Sequence, residues 1–339
     1  MLNVKKSLFL ICYFILTLSG IQAASTPIAP SLVTHEKSKF TSVIRTIVRY
    51  KDQIWYGTYG KGLFTINKDD KLINFTSENS NLLENRVNVL AVYKGDLWIG
   101  TCKGINIFNG HKITKAIVAG KGSVAGNIYH CMRVSPDLSE IWVGMTGEGV
   151  SIYNGKTWSK AGKEDGILNQ WVNDVAFFED EIWIATFSGT FRKKKGAKKW
   201  KTTIPPKFPV HRNTISMTII DSRDELWIGS VEKGVYCFQE GYWYHPPESL
   251  LPSPHVYWLE NGSSDLLWIA TDKGIASMSL ENGWTTYGMK EGLSDPYTKI
   301  LYFDKKEGLL WAGSYNGTLS VFKNGRFNTL VTKNGLVVR

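Results

Sequence analysis

Apolar and polar positions along the chain fall into a phrase that returns seven times. Its copies read IWYGTYGKGLFTI, LWIGTCKGINIF, IWVGMTGEGVSIY, IWIATFSGTF, LWIGSVEKGVYCF, LWIATDKGIASM and LWAGSYNGTLSVF, anchored at Trp55, Trp98, Trp142, Trp183, Trp227, Trp268 and Trp311. The anchors are 43, 44, 41, 44, 41 and 43 residues apart, and self-similarity at such a period marks a repeat architecture. Each copy runs from an apolar stretch through Gly or Ala and a short Gly-containing turn into a second apolar stretch. That pattern is a β-hairpin, because Gly supplies the backbone angles of the turn while aromatic and branched residues suit a pleated, buried surface.

About sixteen residues after each anchor comes a second column, Phe75, Ile113, Trp158, Trp200, Trp243, Trp284 and Phe327. It often follows Asn-Gly, as at Asn109-Gly110, Asn154-Gly155, Asn282-Gly283 and Asn324-Gly325, a strong hairpin signal that places a fourth strand. Runs upstream of the anchors (VIRTIVRY, RVNVLAVY, IYHCMRV, WVNDVAFF, TISMTII, HVYWLE, YTKILYF) supply a first strand. Four strands in about 43 residues is one propeller blade. The prediction is an all-β, seven-bladed β-propeller with four antiparallel strands per blade over residues 40–339. Blade seven has its own fourth strand, RFNTLV, and blade one its own first, so the ring is expected to close by packing of blade one on blade seven, with LVTHEKSKF the remaining candidate for an edge strand.

The phrase LWIGT, then a Gly and an apolar run, with an aromatic before the next unit, resembles the two-component regulator propeller repeat. The resemblance covers residues 40–339. In that family such blades form the periplasmic sensor part of membrane-bound hybrid histidine kinases, so the resemblance implies a sensor or recognition propeller. This chain differs in carrying one set of seven blades and nothing that resembles a kinase.

Composition supports a folded core: 43% hydrophobic and 13% aromatic residues exclude a disordered chain. Residues 1–24 form a separate unit, in which Lys5 and Lys6 precede LFLICYFILTL and then SGIQAA. The apolar run is too short to span a membrane and reads as a signal peptide cleaved near Ala23 or Ala24; residues 25–39 read as a leader. The expected product is periplasmic or secreted, monomeric, without a stable membrane anchor and without a nucleic-acid partner. Beyond the signal, Cys102, Cys131 and Cys237 are an odd count, expected as buried free thiols. The formal net charge of +10 is concentrated in Arg192, Lys193, Lys194, Lys195, Lys198, Lys199 and Lys201. These fall on the blade-four hairpin between third and fourth strands, where a solvated tip competes with a patch for anionic polymers.

Chemistry is expected where first strands line the central channel. Aligning them on apolar positions places Arg45, Asn88, Tyr129, Asn173, Ser216, Tyr257 and Thr298 in one hydrogen-bonding column near one mouth, preceded by Arg86, Trp171, His255 and Pro296. Such a ring either holds channel water or, with Trp171 and His255 above it, binds a glycan or another polar ligand with an apolar face. The next column brings His130 and Asp174 to equivalent places in adjacent blades, where they are expected to pair. No phosphate loop, zinc spacing or nucleophile elbow is present, so neither cofactor nor metal is called for. The expectation is an exported ligand- or protein-binding module, with an envelope protein as the other partner class. Its rivals are a polysaccharide lyase or hydrolase drawing on His130, His255, Arg45 and Lys299, and a scaffold without a small-molecule site.

Overall fold

Each repeat closes into one four-stranded antiparallel sheet, with strands in chain order from the channel outwards. The computed structural model describes residues 42–67, 69, 71–203, 214–220, 223–263, 265–333 and 336–338. The segments read as signal peptide and leader lie outside the described residues, as does most of the proline-rich stretch 203–213. Seven such sheets are present among the described residues, with first strands Ile44–Tyr50, Val87–Tyr93, Tyr129–Val134, Val172–Phe178, Thr214–Ile220, Val256–Asn261 and Thr298–Asp304. The predicted all-β architecture is therefore the observed one. A short hairpin, Val331–Lys333 with Leu336–Val338, follows blade seven.

The recurring phrase is explained by what its residues touch. All seven anchor tryptophans lie on second strands and are buried, at 0–3% exposure, and each belongs to a different apolar cluster spanning two neighbouring blades. Trp183 of blade four, for example, packs with Met217, Ile228 and Phe238 of blade five. The small residue two places on is needed because the next blade's first strand passes directly over it. A Cβ on Gly57 would lie 2.4 Å from Val87 Cγ1, and one on Gly313 would lie 2.6 Å from Ile44 Cγ2. The threonine that follows closes the hairpin: Thr101 Oγ1 donates to Gly104 O at 2.9 Å and accepts from Lys103 N at 3.1 Å.

The second aromatic column packs onto the anchor of the preceding blade. Ring centroids are 6.2 Å apart for Trp158 and Trp98, 6.3 Å for Trp200 and Trp142, 6.1 Å for Trp243 and Trp183, and 6.4 Å for Trp284 and Trp227. In blade one the column is corrected. Pairing of Leu72 with Ile66 matches that of Ile113 with Phe108, so Leu72 fills the slot, while Phe75 stacks on Trp55 of its own blade at 5.4 Å.

Closure follows the expected route. Ile44, Ile47 and Tyr56 of blade one pack with Trp311, Leu319 and Val321 of blade seven, and blade seven's four strands all come from the last repeat. An ion pair is added that sequence did not reveal: Arg49 Nε donates to Asp304 Oδ1 at 2.8 Å while Nη2 donates to Oδ2, a two-pronged clasp across the seam. Cys102, Cys131 and Cys237 are free thiols; Cys131 and Cys237 are buried as expected, whereas Cys102, in the blade-two turn, is only half-buried.

Candidate functional site

One irregularity recurs in every blade and builds the site. Pairing between first and second strands slips by one residue at the same point in all seven. The skipped residues are Arg45, Asn88, His130, Asn173, Ile215, Tyr257 and Lys299. A bulge leaves its residue out of the ladder and re-aims the side chain, so Arg45, Asn88, His130, Asn173, Tyr257 and Lys299 form the ring at the channel mouth. Four of the column expected from sequence, Arg45, Asn88, Asn173 and Tyr257, stand in it.

Three do not, because an apolar alignment cannot register a one-residue bulge. Tyr129 is one position early and buried in the cluster between blades two and three. Thr298 is likewise one position early and 1% exposed. Ser216 is one position late, and its Oγ accepts from Leu259 N of blade six at 3.1 Å. In blades three and seven their places in the ring belong to His130 and Lys299, and in blade five the backbone slip falls at Ile215. The preceding rim is corrected in the same way: Tyr315 N bonds Tyr297 O just as Phe187 N bonds Trp171 O, so Tyr297 rather than Pro296 is the blade-seven counterpart of Trp171 and His255.

A second ring, from the turns between second and third strands, was not read from sequence. It comprises Tyr59, Cys102, Thr146, Phe187, Val231, Asp272 and Tyr315, each directly after the strand-ending position paired next to the bulge. Within blades the rings meet: the Arg45 guanidinium lies 5.8 Å from the Tyr59 ring centre, Asn88 Nδ2 lies 3.3 Å from Cys102 Sγ, and His130 Nε2 lies 2.6 Å from Thr146 Oγ1. Tyr297 stacks on Tyr315 at 4.7 Å and lies 5.0 Å from Tyr257, over which the Lys299 ammonium sits at 3.9 Å. Trp171, 47% exposed, meets Phe187 edge to face at 5.6 Å. His255 Nδ1 is 3.0 Å from Asp272 Oδ2.

Electrostatically the mouth is cationic. Burial draws the Arg45 guanidinium below its ordinary value. Burial, then the charge of Arg45, pulls Lys299 down to about 8 and His130 down to about 4. His130 is therefore neutral at pH 7, and Lys299 retains most of its charge. Burial opposes ionisation of Asp272, but hydrogen bonds from Ser253 and His255 outweigh it and hold the carboxyl below the usual carboxylate range.

Below the ring, a cavity of about 350 Å³ runs between the first strands. The expected His130–Asp174 pair is not formed there. Asp174, fully buried, accepts instead from Arg133 Nε at 2.7 Å, Arg133 Nη2 at 2.9 Å and Met217 N at 2.9 Å, tying blades three, four and five together. The Arg133 guanidinium lies 5.1 Å from the Trp258 ring centre. Glu260 accepts from Trp258 Nε1 and Phe303 N, both at 3.0 Å. These are structural ties through the channel wall, and three of them had no sequence signal because they join residues about 43 apart.

The basic hairpin is largely engaged with its own surroundings. Arg192 pairs with Glu181 at 3.0 Å, Lys194 with Asp180 at 3.2 Å and Lys195 with Asp137 at 3.3 Å, while Lys193 lies over the Trp200 ring at 5.1 Å. Its acid partners Asp180 and Asp137 belong to turns between first and second strands, on the face opposite the mouth. Among the described residues no helix is long and apolar enough to cross a membrane.

No family model matches the chain, and no curated protein matches it. Among solved structures, it is similar to the extracellular domain of a hybrid two-component system from B. thetaiotaomicron, at 17% identity and a TM-score of 0.69, covering 84% of this chain and 38% of that one. A second such domain from the same organism matches at 16% identity and a TM-score of 0.69, covering 88% of this chain and 47% of that one. Virginiamycin B lyase from Staphylococcus aureus matches at 14% identity and a TM-score of 0.65, covering 84% of this chain and 95% of that one. The chain thus spans less than half the length of the two extracellular domains, and at these identities what is shared is the fold. The resemblance to the two-component regulator propeller, read from the repeat, holds at the level of that fold.

Proposed function

We propose that the protein is an exported recognition module of sensor type, which binds a polar ligand with a flat or apolar face at the mouth of its channel. The observation that carries this reading is the bulge ring. In six of seven blades the residue released from the ladder is charged, an amide, an imidazole or a phenol, and Tyr59, Trp171, Phe187 and Tyr315 stand exposed around it. Groups that fix orientation next to open aromatic surface are what a small-ligand site requires. The two extracellular domains that share this fold support an extracytoplasmic setting.

The test is a thermal-shift screen of the mature protein against glycans and cell-envelope fragments, since a ligand that binds only the native state raises Tm. Tyr257→Ala and Trp171→Ala are expected to abolish the shift with little change in the ligand-free Tm, because both stand at the rim rather than between blades. Lys194→Ala with Lys195→Ala is expected to preserve it. If the lysine variant loses the ligand and the rim variants keep it, the mouth is only a water channel.

One contact favours a second reading, a lyase. His255 is oriented by Asp272 at 3.0 Å, which suits a general base, with Arg45 and Lys299 as cations for a neighbouring carboxylate. Turnover of an acidic polysaccharide that His255→Ala eliminates would establish it; intact substrate after prolonged incubation would dismiss it.

A further inference from the structure

Arg45 and Lys299 are two half-buried cations at one mouth, and the charge of Arg45 acts on both Lys299 and His130. Nothing among the described residues neutralises them. The nearby acids are committed elsewhere: Asp272 to His255, Glu84 to Arg86 at 2.9 Å, Asp174 to Arg133 and Glu260 to Trp258 and Phe303. Holding two like charges together out of bulk water is costly to the folded state unless something compensates them. Tyr59 and Tyr257, which face these cations through their rings, return only part of that cost.

Resting on the recognition reading above, we propose that the mouth is selective for an anionic ligand, seating an oxyanion between Arg45 and Lys299 while the body of the ligand lies against the rim aromatics. A guanidinium offers a planar fork to carboxylate or phosphate, and an ammonium adds a point charge. The arrangement brings one of each to a single opening. Asn88, whose Nδ2 has Cys102 Sγ at 3.3 Å as its one partner among the described residues, stands in the same ring as a neutral donor. Neutral His130 adds a group able to donate or accept without further charge.

The experiment compares D-glucuronate, D-glucose 6-phosphate and D-glucose at equal ionic strength, by thermal shift and calorimetry on the mature protein. At least one acid should raise Tm with concentration while glucose does not, and which acid does so separates a carboxylate from a phosphate ligand. Arg45→Met and Lys299→Met should each weaken that binding about tenfold to a hundredfold, the value of a hydrogen bond to a charged group, and Lys299→Arg should retain most of it. Lys299→Met should also raise the Tm of the ligand-free protein, by removing an uncompensated charge. This last readout keeps the idea testable if Arg45→Met folds poorly. If neither acid outperforms glucose, anion selectivity is wrong. If glucose binds as well as the acids and Trp171→Ala abolishes it, selectivity is wrong while recognition at the mouth survives.

Discussion

Lys299 illustrates how far a residue's behaviour is set by its placement. On an exposed strand it would titrate near 10.5; in the ring, burial and then Arg45 pull it down to about 8. Between these values the unfolded chain binds a proton that the folded protein does not, so raising the pH through this window stabilises the fold. The facing groups are Arg45, which stays charged, and the Tyr257 phenol. We predict that the Tm advantage of Lys299→Met over wild type is largest at or below pH 8 and shrinks as pH rises toward 10, as Lys299 in the wild type loses its charge. Parallel thermal melts check this, and a difference that does not change with pH would mean that Lys299 is well solvated. His130 has the same sign at lower pH: with its folded value near 4 against 6.5 unfolded, it subtracts stability as pH falls through that interval.

At the scale of the strand, two devices recur, and sequence reveals only one. The anchor tryptophan is visible because its burial at a blade interface demands one residue type, whereas the bulge is set by backbone geometry and accepts Arg, Asn, His, Ile, Tyr or Lys. Its seven side chains therefore share no pattern. The misplacement of Tyr129, Ser216 and Thr298 follows, since one skipped residue moves a column by one position. For the anchors we predict that Trp183→Ala costs about 3 to 5 kcal/mol, the usual penalty for deleting a fully buried large aromatic. Urea unfolding measures it, and a loss under about 1 kcal/mol would mean that the blade interface repacks freely.

Across the whole molecule, stability depends on closing the ring. The seam between blades one and seven has the same apolar packing as the other interfaces, plus the clasp of Arg49 on Asp304, whose carboxylate is only 1% exposed. Asp304→Ala removes both prongs but leaves Arg49, 15% exposed, with Glu307 at 3.7 Å, so it should cost about 1.5 to 3 kcal/mol, the value of a hydrogen bond to a charged group. Lys195→Ala, which breaks an exposed pair with Asp137 on the basic hairpin, should cost no more than about 1 kcal/mol. Denaturant midpoints for the two variants give the comparison, and equal losses would show that the seam is held by apolar packing alone.

The sequence by itself determined the class, the number of blades and the strands that carry the anchors. Each of these follows from a local rule repeated seven times: an aromatic that must be buried, a small residue where the next strand crosses, a turn that needs Gly. Part of the mouth was legible in the same way, in Arg45, Asn88, Asn173, Tyr257, Trp171 and His255. Tertiary structure decided the rest. The bulges moved His130 and Lys299 into the ring, the turns added Tyr59, Phe187 and Tyr315, and Asp174 found Arg133 rather than His130. These outcomes depend on contacts between blades about 43 residues apart and on a one-residue slip in pairing, and neither leaves a trace in the hydrophobic pattern from which the blades are read.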